Sequence, residues 1–148
     1  MKNHRLDKDR IPKLLELAKI GGYPLTEEVA KEFCRGEDPI RPCTMVYGIE
    51  REDGALAAML TATYSLVFPH VDGYRMVHIS GAYTREDMRH RGFVSVLLSA
   101  IEEDAKTYFK AHYLCCDSTA PELYEKAGFL PSSETRMWKV LTTPSPVL

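Results

Sequence analysis

The sequence lacks a long hydrophobic run. No apolar stretch approaches the roughly 20 residues needed to cross a bilayer, and residues 1–7 contain no apolar core of the signal-peptide kind. We therefore expect a cytoplasmic protein with no membrane partner.

An excess of charge of one sign is also absent. The chain has 19 basic and 21 acidic residues, which gives a formal net charge of −2. Such a balance provides no overall field to hold nucleic acid, so we expect no nucleic-acid partner. Any anion site must then be local.

The few cysteines do not have the spacing of a metal site. Cys115 and Cys116 are adjacent, so on a strand their side chains point to opposite faces. We expect all of them to be buried, reduced thiols, with a catalytic cysteine as the weaker alternative, and we expect no metal. The four are Cys34, Cys43, Cys115 and Cys116.

What the chain does contain is typical of one globular domain. Its 148 residues are 45% hydrophobic and 27% charged, enough to bury a real core. We expect a single domain over residues 1–148, with a frayed tail from about residue 142.

Two helices are predicted near the beginning. The first has apolar positions at helical spacing from Ile11 onward and stops at Gly21-Gly22. The second begins after Thr26, a good N-cap residue. Its predicted buried side consists of Val29, Ala30 and Phe33.

Three strands follow. Residues 44–50 and 55–68 are rich in β-branched and aromatic residues and flank the turn Asp53-Gly54, which predicts an antiparallel hairpin. The loop 69–73 leads to a third strand over residues 74–84. The three strands form a predicted antiparallel meander.

A long amphipathic helix begins at Phe93, and a short apolar strand follows at residues 113–116. Strand, helix and strand make a βαβ unit, so its two strands should be parallel with a right-handed crossover. The predicted buried face of the helix contains Phe93, Val94, Leu97, Leu98, Ile101, Ala105, Tyr108 and Phe109.

A short helix and a last strand complete the order. Asp117 or Ser118 should cap the helix, which Gly128 ends, and residues 135–140 form the final predicted strand. The whole order predicts an α/β fold, a mixed sheet with helices on its faces.

The loop before the long helix indicates an anion site. Arg89, His90 and Arg91 precede the helix start, where basic residues oppose the dipole unless an anion is present. Unpaired amides at that start also favour phosphate. The alternative is a solvated helix entrance in which Gly92 is only a turn residue.

The usual nucleotide fingerprints are missing. The chain has neither a P-loop lysine motif nor G-x-G-x-x-G. An enzyme that acts on nucleotide phosphates is therefore the weaker interpretation of this loop.

Two motifs resemble those of the GNAT superfamily of acetyl-CoA-dependent N-acetyltransferases. Arg89 and Gly92 match its motif of Arg or Gln, two variable residues, Gly, one variable residue, then Gly or Ala; Val94 occupies the last position. Residues 123–129, Leu-Tyr-Glu-Lys-Ala-Gly-Phe, match its later motif, where Asp117 replaces an Asn. The element order agrees from about Ile11 to Val140.

The resemblance implies a GNAT-like sheet, with an antiparallel meander and a central parallel pair that splays to hold CoA. Strand 79–84 and strand 114–117 would part, and the pantothenate arm would lie between them. The pyrophosphate would sit on the amides of residues 89–94. The implied CoA-binding residues are Ala82, Tyr83, Thr84, Arg89, His90, Arg91, Gly92, Phe93, Val94 and Asp117.

The implied reaction moves an acetyl group from acetyl-CoA, the cosubstrate, to a primary amine of a small molecule or peptide by direct attack. Tyr124 would act as general acid toward the CoA thiolate. A homodimer is possible in this family. The alternative is a non-catalytic CoA-binding or regulatory module of the same fold.

The sequence does not single out the base that takes the ammonium proton. His78 would share a strand face with Ser80 and Ala82 if the pleat were regular, but a strand histidine is more often structural. The other candidates left open are Glu50, Glu52, Asp117 and water.

Overall fold

The computed structural model describes residues 3–67, 74–118, 121–132, 137 and 139–142. In that part of the chain, one four-stranded sheet has the order β1-β2-β3-β4. The strands are β1 (Cys43–Glu50), β2 (Leu56–Val67), β3 (Tyr74–Thr84) and β4 (Tyr113–Cys116). The helices are α1 (Ile11–Ile20), α2 (Glu27–Phe33), α3 (Phe93–Thr107) and α4 (Glu122–Lys126).

The sheet is mixed, as predicted. β1 and β2, and β2 and β3, pair antiparallel, whereas β3 and β4 pair parallel. The predicted turn between β1 and β2 is confirmed, because Gly54 has φ +88° and the Arg51 amide donates to the Ala55 carbonyl at 2.8 Å. Glycine adopts that left-handed conformation without a Cβ clash.

One face of the sheet packs against α3. Leu97 and Ile101 are fully buried there, and each contributes roughly 1.5–3 kcal/mol by leaving water. The sheet residues of this core come from alternate positions of the strands. They are Met45, Tyr47, Ala58, Leu60, Ala62, Tyr64, Val77 and Ile79.

The opposite face packs against α1 and α2, so helices lie on both faces as predicted. Thr26 caps α2, its hydroxyl accepting from the Val29 amide at 3.2 Å. The predicted buried side of α2 is wrong at Val29, which is 38% exposed. The helix has only seven residues, and of these only Ala30 is fully buried.

The predicted face of α3 is wrong at Tyr108, which is 63% exposed. The helix ends at Thr107, so the helical period no longer places the following side chains. Phe109, the last residue predicted on this face, is buried as expected and packs edge-to-face on Tyr64 with ring centroids 5.1 Å apart.

The cap predicted for α4 is also wrong. Pro121 stands at the N-cap position, and neither Asp117 nor Ser118 is there. Half of the predicted last strand and the whole loop 69–73 lie outside the described residues. The other half of that strand, Met137, Lys139 and Val140, has no regular structure. No helix in the described ranges is both long and apolar enough to span a membrane.

Candidate functional site

β3 and β4 are paired over a short distance and then part. Their register runs from Met76 opposite Tyr113 to Ile79 opposite Cys116. β3 continues to Thr84, but residues 80–84 have no described β4 partner. The pairing therefore stops at the carboxyl ends of two parallel strands, a position where α/β sheets commonly hold ligands. We call the region beyond this last pair the gap.

A bulge in β3 shapes one wall of this gap. The pairing with β2 shifts between Thr61 opposite Ser80 and Met59 opposite Tyr83. Gly81 has φ +61°, and a Cβ on it would lie 3.0 Å from the Thr61 hydroxyl oxygen. Glycine is thus required here by both conformation and space.

The bulge corrects the expected arrangement of side chains along β3. His78 alternates with Val77 and Ile79, which face α3, so it lies on the opposite face. The extra residue reverses the alternation beyond Gly81, and Ala82 packs against the α3-side core. A regular pleat would have put His78 and Ala82 on the same side.

A tyrosine from the loop between α1 and α2 also reaches this wall, and sequence reasoning missed it. The Tyr23 hydroxyl donates to the Ala82 carbonyl at 3.2 Å. Its ring packs edge-to-face on Tyr83, with centroids 6.2 Å apart. The only sequence signal was an aromatic residue between glycines and a proline.

The loop between β3 and α3 begins with a fixed arginine, also missed. Arg85 is 8% exposed. Its guanidinium donates to the Leu56 carbonyl at 2.6 Å and to the Glu16 carboxylate at 2.7 Å. Its amide donates to the Ala57 carbonyl at 2.9 Å. The start of the loop is thereby tied to β2 and α1.

The second half of the loop turns through two left-handed residues. His90 has φ +65° and Gly92, the N-cap of α3, has φ +76°. A non-glycine residue in this region is strained, which is common where a loop serves a ligand. Such turns make concave arrays of amides that bind anions.

The basic side chains of this loop differ in their surroundings. Arg89 turns back, donating to the Thr84 carbonyl at 3.2 Å and lying over the Tyr83 ring. His90 and Arg91 are exposed. Arg89 is exposed as well, so what distinguishes His90 and Arg91 is that they lie next to the helix entrance.

The first backbone amides of α3 can donate hydrogen bonds to a ligand. The first hydrogen bond of the helix is the one that the Val96 amide donates to the Gly92 carbonyl, at 3.1 Å. The amides of residues 93–95 therefore have no partner within the helix. The half-buried Phe93 and Val94 pack against the α3-side core, so the bulk of Val94 is directed into the protein.

Tyr124 lies on α4 and is 8% exposed. Its ring packs edge-to-face on Phe129, with centroids 5.5 Å apart. Burial raises the pKa of its hydroxyl, and the neighbouring Cys116 and Tyr23 add to the rise. The hydroxyl thus stays protonated beside the last paired residue of β4.

Asp117 follows directly on that residue. Its carboxylate lies 3.3 Å from Nε2 of His78. In the structure it lies against a histidine on the sheet face away from α3, and its predicted contact with the cofactor stays a prediction. Both side chains are partly exposed.

The cysteines are reduced as predicted, but the expectation that all are buried is wrong, because Cys34 is buried whereas Cys43, Cys115 and Cys116 are only half-buried. All four are free. Burial and the adjacent Asp117 raise the pKa of the Cys116 thiol, which disfavours the nucleophilic thiolate. Within the described ranges, no group of three or more His, Cys, Asp or Glu side chains is placed to hold a metal.

A cleft of about 900 Å³ runs beside β4 and α4. It shares Cys116 and Tyr124 with the apex of the gap but includes none of residues 89–92. It therefore adjoins the narrow end of the gap, away from the basic loop.

A family model matches most of the chain. Residues 11–129 match the model described as the Acetyltransferase (GNAT) family. No curated protein matches the sequence.

Several solved structures share the fold. The glucosamine-6-phosphate N-acetyltransferase of Arabidopsis thaliana has a TM-score of 0.72 at 16% identity, covering 95% of this chain and 98% of that one. A ribosomal-protein-alanine N-acetyltransferase from Brucella melitensis biovar Abortus 2308 has 0.69 at 18%, covering 95% and 100%. A predicted acetyltransferase from Clostridium acetobutylicum, solved with acetyl-CoA, has 0.70 at 17%, covering 95% and 96%. At such identities the likeness shows the fold alone.

Proposed function

The chain belongs to the GNAT family of acetyltransferases, and on that premise we propose that it transfers an acetyl group from acetyl-CoA to a primary amine of a small molecule or peptide. The observation that carries the proposal is the parting of β3 and β4 beside the entrance of α3. One ligand can thereby place a phosphate at the helix and an extended arm in the gap.

The residues present fit CoA. The amides of residues 93–95 and the exposed Arg91 would hold the pyrophosphate. A Cβ built on Gly92 would meet nothing within 4 Å, so the entrance is open to a ligand. Val94, where the family has a smaller residue, does not fill this space because it packs into the core.

The arm of CoA would run along residues 82–84 toward the apex of the gap. Its thioester would then lie near Gly81, where the bulge leaves backbone amides outside the regular ladder. Such amides would stabilise the oxyanion that forms when the amine attacks. Tyr124, protonated beside Cys116, would donate its proton to the departing thiolate.

The test is CoA release from acetyl-CoA over a panel of alkylamines, amino sugars and peptides with free amino termini. We expect turnover with at least one amine and CoA binding by calorimetry. Arg91→Ala should weaken CoA binding roughly two- to fivefold, more at low salt. Lys31→Ala, which removes an exposed cation from α2, should not.

The outcomes separate the two interpretations of the fold. CoA binding without turnover on any amine would indicate a non-catalytic CoA-binding module. Absence of both would contradict the proposal altogether. The relatives that act on glucosamine 6-phosphate or on a ribosomal protein do not fix the acceptor at this identity.

A further inference from the structure

The pair His78 and Asp117 stands at the apex of the gap. His78 directly precedes Ile79, and Asp117 directly follows Cys116; Ile79 and Cys116 form the last paired rung of β3 and β4. The His78 Nε2 to Asp117 Oδ2 distance is 3.3 Å, with 38% and 53% of the side chains exposed. The pair is thus reachable from solvent at the point where the strands part.

We propose that His78 is the base that accepts a proton from the acceptor amine, and that Asp117 is the positioning residue that orients its ring. This inference rests on the proposed acetyl transfer. It assigns a proton acceptor on the sheet face opposite α3, so the amine would approach the thioester from that face.

The chemistry of the pair supports these roles. An ionised carboxylate only accepts hydrogen bonds, so Nε2 of His78 must donate to Asp117. The ring lone pair then resides on Nδ1, where it accepts a proton. The 3.3 Å separation is long for such a bond, but catalytic hydrogen bonds often tighten only once substrate is bound.

The strand neighbours of His78 on its face of the sheet are not Asp, Glu, Lys or Arg. Its cross-strand partner on β4 is Cys115, and Asp117 is the one carboxylate shown in contact with it. Its uncharged neighbours on that face are Thr63, Met76 and Ser80. The hydroxyls of Thr63 and Ser80 suit an amine acceptor better than an apolar one.

Glu50, another candidate base, is poorly suited. The Arg10 guanidinium at 2.9 Å lowers the pKa of this carboxyl, and Lys13 lies 3.3 Å away. Glu50 is on β1, which β2 separates from the parted strands. A carboxylate held by two cations is a weak proton acceptor.

Acetyl transfer with His78 as base conserves atoms and charge. One ammonium proton passes to Nδ1 of His78, and the freed nitrogen lone pair forms the C–N bond to the thioester carbonyl carbon. The C–S bond breaks, and the thiolate takes the Tyr124 proton. The amide nitrogen returns a proton to Tyr124 through solvent, and His78 releases its proton, so the net reaction frees one proton.

The test compares two nucleophiles with one enzyme. Ethylamine is almost entirely protonated at neutral pH and needs a base, whereas hydroxylamine is largely unprotonated and does not. With rates corrected for the uncatalysed reaction, His78→Gln should slow transfer to ethylamine about 10²–10⁴-fold and leave transfer to hydroxylamine within a few-fold. The ethylamine rate of the variant should recover as the pH rises.

Asp117→Asn should cause a smaller loss with ethylamine, because an amide no longer fixes which ring nitrogen carries the proton. The matched control is His112→Gln, which alters an exposed histidine before β4 and should behave as the unaltered protein. An unchanged ethylamine rate in His78→Gln, or an equal loss with both nucleophiles, would overturn the assignment. No transfer to either nucleophile by the unaltered protein would instead remove the proposed acetyl transfer, and the assignment with it.

Discussion

Tyr47 and Tyr124 are two buried tyrosines of the same core, and their surroundings differ. They are 1% and 8% exposed, and burial raises the pKa of both hydroxyls. Tyr47 donates to Asp104 at 2.7 Å and lies 2.6 Å from the Tyr64 hydroxyl. Since Tyr47 has one proton, Tyr64 must donate to it.

The cluster of Tyr47, Tyr64 and Asp104 is a closed network in which each hydroxyl proton has a partner. Tyr124 instead adjoins Cys116, where β3 and β4 part. A raised pKa is therefore common to a structural and a candidate catalytic tyrosine, and position relative to the gap distinguishes them. The two sites should respond to loss of a hydroxyl in opposite ways.

The largest expected effect is on turnover in Tyr124→Phe. Loss of the general acid should lower kcat about 10²–10⁴-fold, while CoA affinity stays nearly unchanged. Stability should change little, because the ring still packs on Phe129. Steady-state kinetics with calorimetric CoA titration measures both quantities, and an unchanged kcat would exclude Tyr124 as the acid.

A smaller and reciprocal effect is expected in Tyr47→Phe. Asp104 would lose its hydroxyl donor and, among the described residues, keep the contact with the Arg5 guanidinium, 3.6 Å away. We expect the free energy of unfolding to fall by about 1–3 kcal/mol, with kcat per folded molecule unchanged. Urea denaturation gives the first quantity.

The matched variant for that measurement is Tyr64→Phe. It keeps the bond from Tyr47 to Asp104 and should cost less, about 1 kcal/mol. A larger loss in Tyr64→Phe than in Tyr47→Phe would show that the carboxylate does not depend on Tyr47.

The features that the sequence predicted differ in kind from those that it did not. Elements with local signals were predicted correctly: the turn at Gly54, the cap at Thr26 and the parallel pair joined by α3. The turn and the cap depend on neighbours within a few residues, and the parallel pair follows from the order strand, helix, strand, so a single sequence contains the information. The basic loop 89–92 was found for the same reason.

The parts that were missed depend on contacts distant in sequence. Gly81 looked like any strand glycine, and only its approach to Thr61 shows the bulge that separates the side of His78 from that of Ala82. Arg85 looked like a loop cation, but it is buried by bonds to Leu56 and Glu16. No local pattern reports such pairings.

The smallest effect is expected for a substitution of Tyr23, because its loop contacts β3 through one hydroxyl hydrogen bond and one ring contact. Tyr23→Phe keeps the ring and removes the bond to the Ala82 carbonyl. We expect stability to fall by less than about 1 kcal/mol. KM for acetyl-CoA should rise roughly two- to fivefold, which corresponds to a loss of that size, because Ala82 lies on the wall of the gap. The control is Tyr108→Phe, which alters an exposed tyrosine beyond α3, and steady-state kinetics compares KM in the two variants. Tighter CoA binding in Tyr23→Phe would show that Tyr23 competes with CoA for Ala82.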